Sequence, residues 1–517
     1  MRPPSFLRLF RSEPDFSAAE LVALWKKTGR LAAVDDIGSI LKAAAGSART
    51  AKWTGRLELA RVLHALGTAL LAGRPFGRTA WPAFRRRFLK TLTPPERDIL
   101  EAFALLPPSD PSSWARALQD AAFEMIGRTI VFGERRRFSP PRSCLRSDEI
   151  VWGRASARLD LGGGWTDTPP YSLERGGCVI NAAVTLNGQP PIHAYLRVTP
   201  HLDIRISSID HGAGLRVARL DELMDYKDPA SRFGLAKAAL ALSGFSPAHA
   251  RWPAGVRTLA DMLRRFGGGI ELTTLAAIPS GSGLGTSSIM GAVLVAVISR
   301  MMGRALTADG LFYKVLQLEQ ELTTGGGWQD QVGGVLPGVK MITSEAGLVP
   351  DPLVHYVPAD VLDPGRNGGT TLLYYTGLRR LAKNILRSVV GHYLDRDKAT
   401  MDTLRRLHAY PPQMVDAMSR KDQRRFGELI DVAWSLNKRI DPDSTTPEID
   451  ALLGRIRKHI WGAKLLGAGG GGFLLIVCKS PRDAAAVRRS LSIRPPNPRA
   501  RFFDYEIDDR GLTVTVC

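Results

Sequence analysis

The chain is poor in cysteine. It has four in 517 residues, Cys144, Cys178, Cys478 and Cys517, and no CxxC spacing. That excludes a disulfide framework and a cysteine zinc site, and it fits a reducing, cytoplasmic compartment. Long apolar runs are also missing. The best of them, Ile289 to Ile298, stops at Ser299-Arg300, short of the roughly 18–20 residues that cross a bilayer. The opening stretch MRPPSFLRLFRSEPDF has no continuous apolar core and no small-residue cleavage site, so no secretory signal is expected. Lysine is scarce, with 16 against 54 arginines in a formal net charge of +20. The first 150 residues carry 25 basic and 15 acidic side chains, so the excess is denser there. Such charge can attract nucleic acid, anionic lipid or phosphorylated substrates. The arginine clusters at 85–87 and 135–137 have no interleaved aromatics on which bases would stack. A solvated surface is therefore expected, with no nucleic-acid and no membrane partner.

A hydrophobic content of 44% with 23% charge is that of a globular protein, and the length suggests two to four domains. Residues 17 to about 135 read as helices. Ser17 stands as an N-cap with Glu20 three residues on, as in a capping box. TGRLELARVLHALGTALLAG repeats apolar positions every three or four residues, and TPPERDILEAFALL and PSSWARALQDAAFEMIG follow in the same style. After the Pro/Arg-rich stretch 135–149 the pattern changes. IVWGRASARLDL and IHAYLRVTPHLDIRISSID alternate as strands, and helices and strands then mix to the end. That order predicts an α+β fold rather than a doubly wound sheet.

Four glycine-punctuated stretches carry the chemistry. PSGSGLGTSS, 279–288, follows a predicted strand and precedes a helix. A helix start offers unpaired N–H groups to an anion, and glycines let the anion approach the backbone. Its hydroxyls, Thr286, Ser287 and Ser288, suit phosphate or magnesium. It is neither a Walker loop nor a Rossmann loop, because no Gly-Lys-Ser/Thr ends it and the glycine spacing differs. RASARLDLGGGWTDTPPY, 154–171, supplies the cation Arg158 and the carboxylates Asp160 and Asp167. Trp165 can pack on a sugar face there. LEQELTTGGGWQDQVGG, 318–334, supplies Glu319 and Glu321, then Asp330 on a loop. In LLGAGGGGFLLIVCK, five of the six residues 467–472 are glycine, which points to close approach of a ligand or of another loop. Together these are the inventory of phosphoryl transfer. Taken singly, each is also compatible with a surface turn.

PSGSGLGTSS resembles the second motif of the GHMP kinases, usually PxxxGLGSS, with Thr286 in place of the first serine. RLDLGGGWTD resembles their first motif, with Arg158 and Asp167 nine apart, and GAGGGG their third. The resemblance covers about 150–517. GGWTDTPPY, NAAVTLNGQPPI and LTTGGGWQDQVGG are similar to the L-fucokinases, including the kinase half of bifunctional fucokinase/GDP-fucose pyrophosphorylases. Galactokinases have Glu-His where this chain has Gly164-Trp165, which argues against galactose.

The resemblance implies an all-helical region at 1–147 and a two-lobed kinase. The lobes would be a ribosomal-S5-like one at 148–350 and a ferredoxin-like one at 351–517. It implies ATP and Mg2+ as cofactors. ATP would lie on Pro279, Gly281, Gly283, Leu284, Gly285, Thr286, Ser287 and Ser288, with Gly469 and Gly470. Asp330 matches the catalytic base and Arg158 the residue that neutralises the transferred phosphoryl. Ser287 and Glu319 match the metal ligands, with Glu321 as the fallback. Asp167 matches a sugar-binding aspartate, with Trp165 and Asn181 as further sugar contacts. YTGLRRLAKNIL, 375–386, either brings Arg380 and Lys383 near the site or is an amphipathic helix face. The activity implied is phosphorylation of L-fucose at its anomeric hydroxyl, with a link to a sugar-1-phosphate nucleotidyltransferase. The alternatives are a heptose-phosphate or other sugar-phosphate 1-kinase and, in another class, a non-catalytic binding protein with a basic helical region. The N-terminal 135 residues are too short and too helical for a pyrophosphorylase half.

Overall fold

A computed structural model of the chain describes residues 16–28, 53–73, 81–82, 85–86, 90, 110–132 and 139–517, except 229, 280, 323–324, 350 and 379–381. The chain divides into two compact units, Met1–Gly133 with Arg387–Asp402, and Glu134–Leu386 with Thr403–Cys517.

In the first unit, helices α1 (Ala18–Thr28), α2 (Trp53–Gly73) and α3 (Pro111–Phe132) follow the predicted periodicity. The capping box forms: the Ser17 N–H donates to Glu20 Oε2 at 2.6 Å, and the Glu20 N–H to Ser17 Oγ at 3.1 Å. Helices α2 and α3 pack together, burying Leu63, Leu66, Leu118 and Ala122. The helices expected from 30–50 and 93–106 lie outside the described residues. The unit takes in Arg387–Asp402 besides the N-terminal residues. His64 and Thr68 on α2 are polar positions in an apolar packing and need partners. Asp395 supplies them, its carboxylate lying 2.8 Å from His64 Nδ1 and accepting from Thr68 Oγ1 at 2.7 Å.

The second unit is built on three sheets among the described residues. Its strands are β1 (Ile150–Ala155), β2 (Ala157–Gly162), β3 (Gly177–Leu186), β4 (Ile192–Thr199), β5 (Ile204–Ser208), β6 (Ala213–Val217) and β7 (Gly269–Ala276). Then come β8 (Val339–Ser344), β9 (Leu353–Val357), β10 (Thr371–Tyr375), β11 (Ile460–Leu465), β12 (Phe473–Cys478), β13 (Arg501–Phe503), β14 (Tyr505–Ile507) and β15 (Thr513–Val516). The six-stranded sheet runs β15-β1-β4-β7-β5-β6, and the second β14-β3-β8-β9, with β2 paired to β3. The four-stranded sheet runs β11-β12-β10-β13. Its strands are antiparallel, with helical connections after β10 and after β12, which is the ferredoxin-like order.

A single cut at 350 does not separate the lobes. Strand β9 extends the sheet of β3 and β8, and the last two strands return to β3 and β1. Of these strands the pattern of GLTVTV announces β15 alone, and the partner of such a strand is set by tertiary packing, which the pattern leaves open.

The helices that frame the site are α4 (Gly234–Leu242), α5 (Thr286–Met301), α6 (Ala308–Glu321) and α7 (Gln329–Val335). Helix α5 is apolar on nearly all sides and is accordingly buried, packed on β1, β4, α4 and α6. It leaves the 279–285 loop at the end of β7, so the strand–loop–helix order expected from sequence is present. Next comes α8 (Ala382–Leu394), which contains Lys383. Arg380 and the Lys383 side chain lie outside the described residues.

Candidate active site

Strand β2 is buried along its length. Residues two apart on a strand share a face, which places Arg158 and Asp160 together. The Arg158 N–H donates to the Leu284 carbonyl at 3.2 Å, stitching β2 to the glycine loop. Its guanidinium, 3% exposed, contacts Asp330 Oδ1 through Nη2. Nε and Nη1 have no hydrogen-bond partner. Burial works against this charge, but Asp330, Asp160 and Asp167 outweigh it and hold the arginine above its ordinary value. The structure thus pairs the two residues proposed as catalytic, 172 apart in sequence. Asp330 keeps 30% side-chain exposure, so the carboxylate faces the open side.

Asp167 is buried beside them. It accepts from the Gln329 N–H at 3.1 Å. Gly327 passes so close that a Cβ there would lie 2.0 Å from Asp167 Oδ2, which accounts for one glycine of the GGGW loop. Burial, and after it the Asp330 carboxylate, push Asp167 up to about 7. The loop carrying it is pinned by Thr166, whose Oγ1 lies 2.7 Å from the Gly163 carbonyl and accepts from the Cys178 N–H at 3.0 Å. Trp165 is half-buried in the left-handed region, at φ 80°.

Asn181 is fully buried, and neither polar atom of its side chain has a partner. It lies under Gly333 of α7, where a Cβ would meet its amide at 3.0 Å. The expected sugar contact is thus covered by protein.

At the start of α5, Ser287 is exposed while Ser288 is buried. The hydroxyl that reaches the carboxylate is that of Ser288, which donates to Glu319 Oε1 at 2.8 Å. Glu319 therefore sits at the helix start, but against Ser288 rather than the Ser287 that the motif match pointed to. Counting along the motif does not reveal which face of the helix each hydroxyl takes. Glu321 is engaged elsewhere, with Lys227 Nζ at 2.8 Å and the Tyr226 hydroxyl at 3.3 Å. Among the described residues no three His, Cys, Asp or Glu side chains form a metal cage.

Gly281, Thr286 and Ser287 line a mostly apolar cavity of about 570 Å3 together with Phe233 of the preceding loop, Ile278, and Met290 of α5. Pro279 and Leu284 belong to the loop, half-buried and buried respectively. Gly285 caps the helix at φ 72°.

The GAGGGG stretch meets chain on several sides. Gly283 lies against the Leu466 carbonyl, and the Phe473 N–H donates to the Ser282 carbonyl at 3.0 Å. The Gly470 N–H donates to the Ser444 carbonyl at 2.5 Å, and Gly469 packs on the same residue. Approach to another loop, one of the two readings of this stretch, is met by these contacts.

Lys464 is the residue that sequence reasoning missed. It sits fully buried in β11, with its ammonium on Asp160. The signal was there: a lysine inside AKLLG, near the end of an otherwise apolar strand.

The GHMP kinases N terminal domain matches residues 255–338, and the GHMP kinases C terminal domain residues 414–497. The chain is 42% identical over 400 residues to L-fucokinase/L-fucose-1-P guanylyltransferase of Bacteroides fragilis, covering 77% of this chain and 42% of that protein. It is 34% identical over 340 residues to the bifunctional fucokinase/GDP-fucose pyrophosphorylase of Arabidopsis thaliana, covering 65% of this chain and 30% of that one. It thus spans less than half the length of either relative. The crystal structure of Lactococcus lactis galactokinase with galactose superposes with a TM-score of 0.53 at 16% identity, over 75% of this chain and 97% of that one. At that identity the likeness is one of fold.

Proposed function

Because the chain belongs to the GHMP kinase superfamily, we propose that it transfers the γ-phosphoryl of ATP to the anomeric hydroxyl of a sugar, with L-fucose first among the candidates. The observation that carries this reading is the Arg158–Asp330 pair beneath the 279–285 loop. A half-exposed carboxylate beside a buried guanidinium suits a base for a hydroxyl and a charge for the phosphoryl it attacks. The sequence likeness to L-fucokinase supports that choice of sugar.

In this reading the cavity beside α5 takes the nucleotide base and the opening N–H groups of α5 take the phosphates. Asp167 accepts hydrogen bonds from sugar hydroxyls. Ser288 and Glu319 supply hard oxygen ligands, which suit magnesium, an ion that keeps several waters and shares substrate phosphates. That ion would neutralise phosphate charge. Arg158 holds the transferred group, and Asp330 takes the proton of the attacking oxygen. The site is cytoplasmic in this account, and the product is the substrate class that a nucleotidyltransferase consumes, as the relatives' names pair the two activities.

The test is ADP release with L-fucose, related deoxysugars and heptose 7-phosphate, with the product identified by 31P NMR. Release on L-fucose giving the 1-phosphate supports the reading; release only on a heptose phosphate moves the substrate; no release on any acceptor defeats it. The metal assignment has its own measurement. Ser288→Ala should raise the magnesium concentration for half-maximal rate by about 10-fold, the low end for losing an oriented ligand. Ser287→Ala should raise it less, and the reverse order would return the role to Ser287.

A further inference from the structure

Two residues past Arg158, on the same face of β2, stands a carboxylate that the transfer as described does not use. Asp160 is 3% exposed. Lys464 Nζ, reaching from β11 of the four-stranded sheet, donates to Oδ2, and to the Asp160 carbonyl at 2.9 Å. Gln329 Nε2 donates to Oδ1 at 3.1 Å. The backbone N–H of the same glutamine holds Asp167. Gln329 is therefore tied through both its side chain and its main chain, and it is the residue immediately before Asp330.

The Lys464 and Asp160 side chains are 1% and 4% exposed. An ion pair this deep is seldom more stabilising than two apolar side chains of the same volume. What it adds is a fixed acceptor. Burial works to raise Asp160, but Lys464 and Arg158 carry it below its ordinary value, so the carboxylate remains an acceptor. The amide of Gln329 is then held one way round, Nε2 toward β2. A glutamine free to turn would release the first turn of α7, which carries Asp330, and loosen the N–H on Asp167.

We propose that Gln329, locked by the buried Asp160–Lys464 pair, is a positioning residue that sets Asp330 and Asp167 for phosphoryl transfer. The inference rests on the assignment of Asp330 as the base. Displacement of a reacting group by about 1 Å can cost on the order of 100-fold in rate, so the link has leverage without touching substrate.

The experiment uses the full chain. Gln329→Met removes the amide at similar length. Asp160→Leu with Lys464→Met removes both charges and the acceptor at similar volume. Each should lower kcat by about 10- to 100-fold, with KM for ATP within about 2-fold of wild type. The triple variant should be no slower than the slower parent, because all three substitutions break one link. Asp160→Asn with Lys464→Met discriminates further. Its carboxamide oxygen still accepts from Gln329, so kcat should recover to within about 3-fold of wild type although the ion pair is gone. Melting temperatures recorded alongside show that each variant is folded. A Gln329→Met protein with wild-type kcat overturns the proposal, as does an Asn/Met variant as slow as the Leu/Met one. A wild type inactive on every acceptor overturns the assignment of Asp330 as well, and so is told apart from failure of the positioning role alone.

Discussion

Asp330→Asn should lower kcat by about 10²–10⁴-fold, the range for removing a general base, while KM for ATP stays close to wild type. The amide keeps the shape and leaves Arg158 a carbonyl oxygen as partner, so the fold should survive. Removing proton acceptance removes an interaction made in the transition state, and such a loss falls on kcat. Activity near wild type would show that another group takes the proton.

The same variant carries a pH signature. Asp167 is pushed up to about 7, first by burial and then by the Asp330 carboxylate. Asp167 accepts sugar hydroxyls best when ionised, so KM for the sugar in the wild type should fall as pH rises through about 7. With Asp330 neutral, one of the three causes that raise Asp167 is gone, while burial and the Asp160 carboxylate remain. The fall in KM should then occur at lower pH. An unchanged midpoint would mean that the two carboxylates do not sense each other.

The second large effect belongs to Gly283→Ala. Gly283 has φ 79°, and a Cβ there would lie 2.1 Å from the Leu466 carbonyl oxygen and 2.9 Å from its carbon. Both are backbone atoms, and the bond from the Phe473 N–H to the Ser282 carbonyl prevents the loops from parting cheaply. The backbone conformation alone costs alanine about 1 kcal/mol. With the overlap added, the loss should reach about 3 kcal/mol or more, with kinase activity falling because the start of α5 is displaced. Gly212→Ala is the control. Gly212 has φ 57° and open space around its Cβ position, so its loss should stay near 1 kcal/mol. Differential scanning calorimetry of the two variants checks the pair, and equal losses would show that the loop contact is not what Gly283 serves.

Much of this site was legible in the sequence because its chemistry is concentrated in short stretches. Glycine spacing and hydroxyl content located the loop at 279–285, and the pairing of Arg158 with Asp330 could be expected from the inventory that phosphoryl transfer requires. The choice between Ser287 and Ser288 was not legible, because adjacent positions on a helix point about 100° apart and the motif does not state which one faces Glu319. The resemblance suggested Asn181 as a sugar contact, yet α7 covers it. Lys464 escaped notice because its partner lies 304 residues away. The return of the last strand to β1 was hidden for a related reason: alternation in GLTVTV announces a strand but is silent on its neighbour. Asp395 shows the same limit, since nothing near it in sequence announces His64.

The return of β15 to β1 sets a clock on synthesis. Trp152 and Thr515, opposite each other in that pairing, are 363 residues apart. At translation rates of about 5–20 residues per second, the outer edge of β1 waits roughly 20 to 70 s for its neighbour. An open strand edge is a template for wrong pairing. The nascent chain therefore carries an open sheet edge through that interval, which is when a chaperone would matter to it.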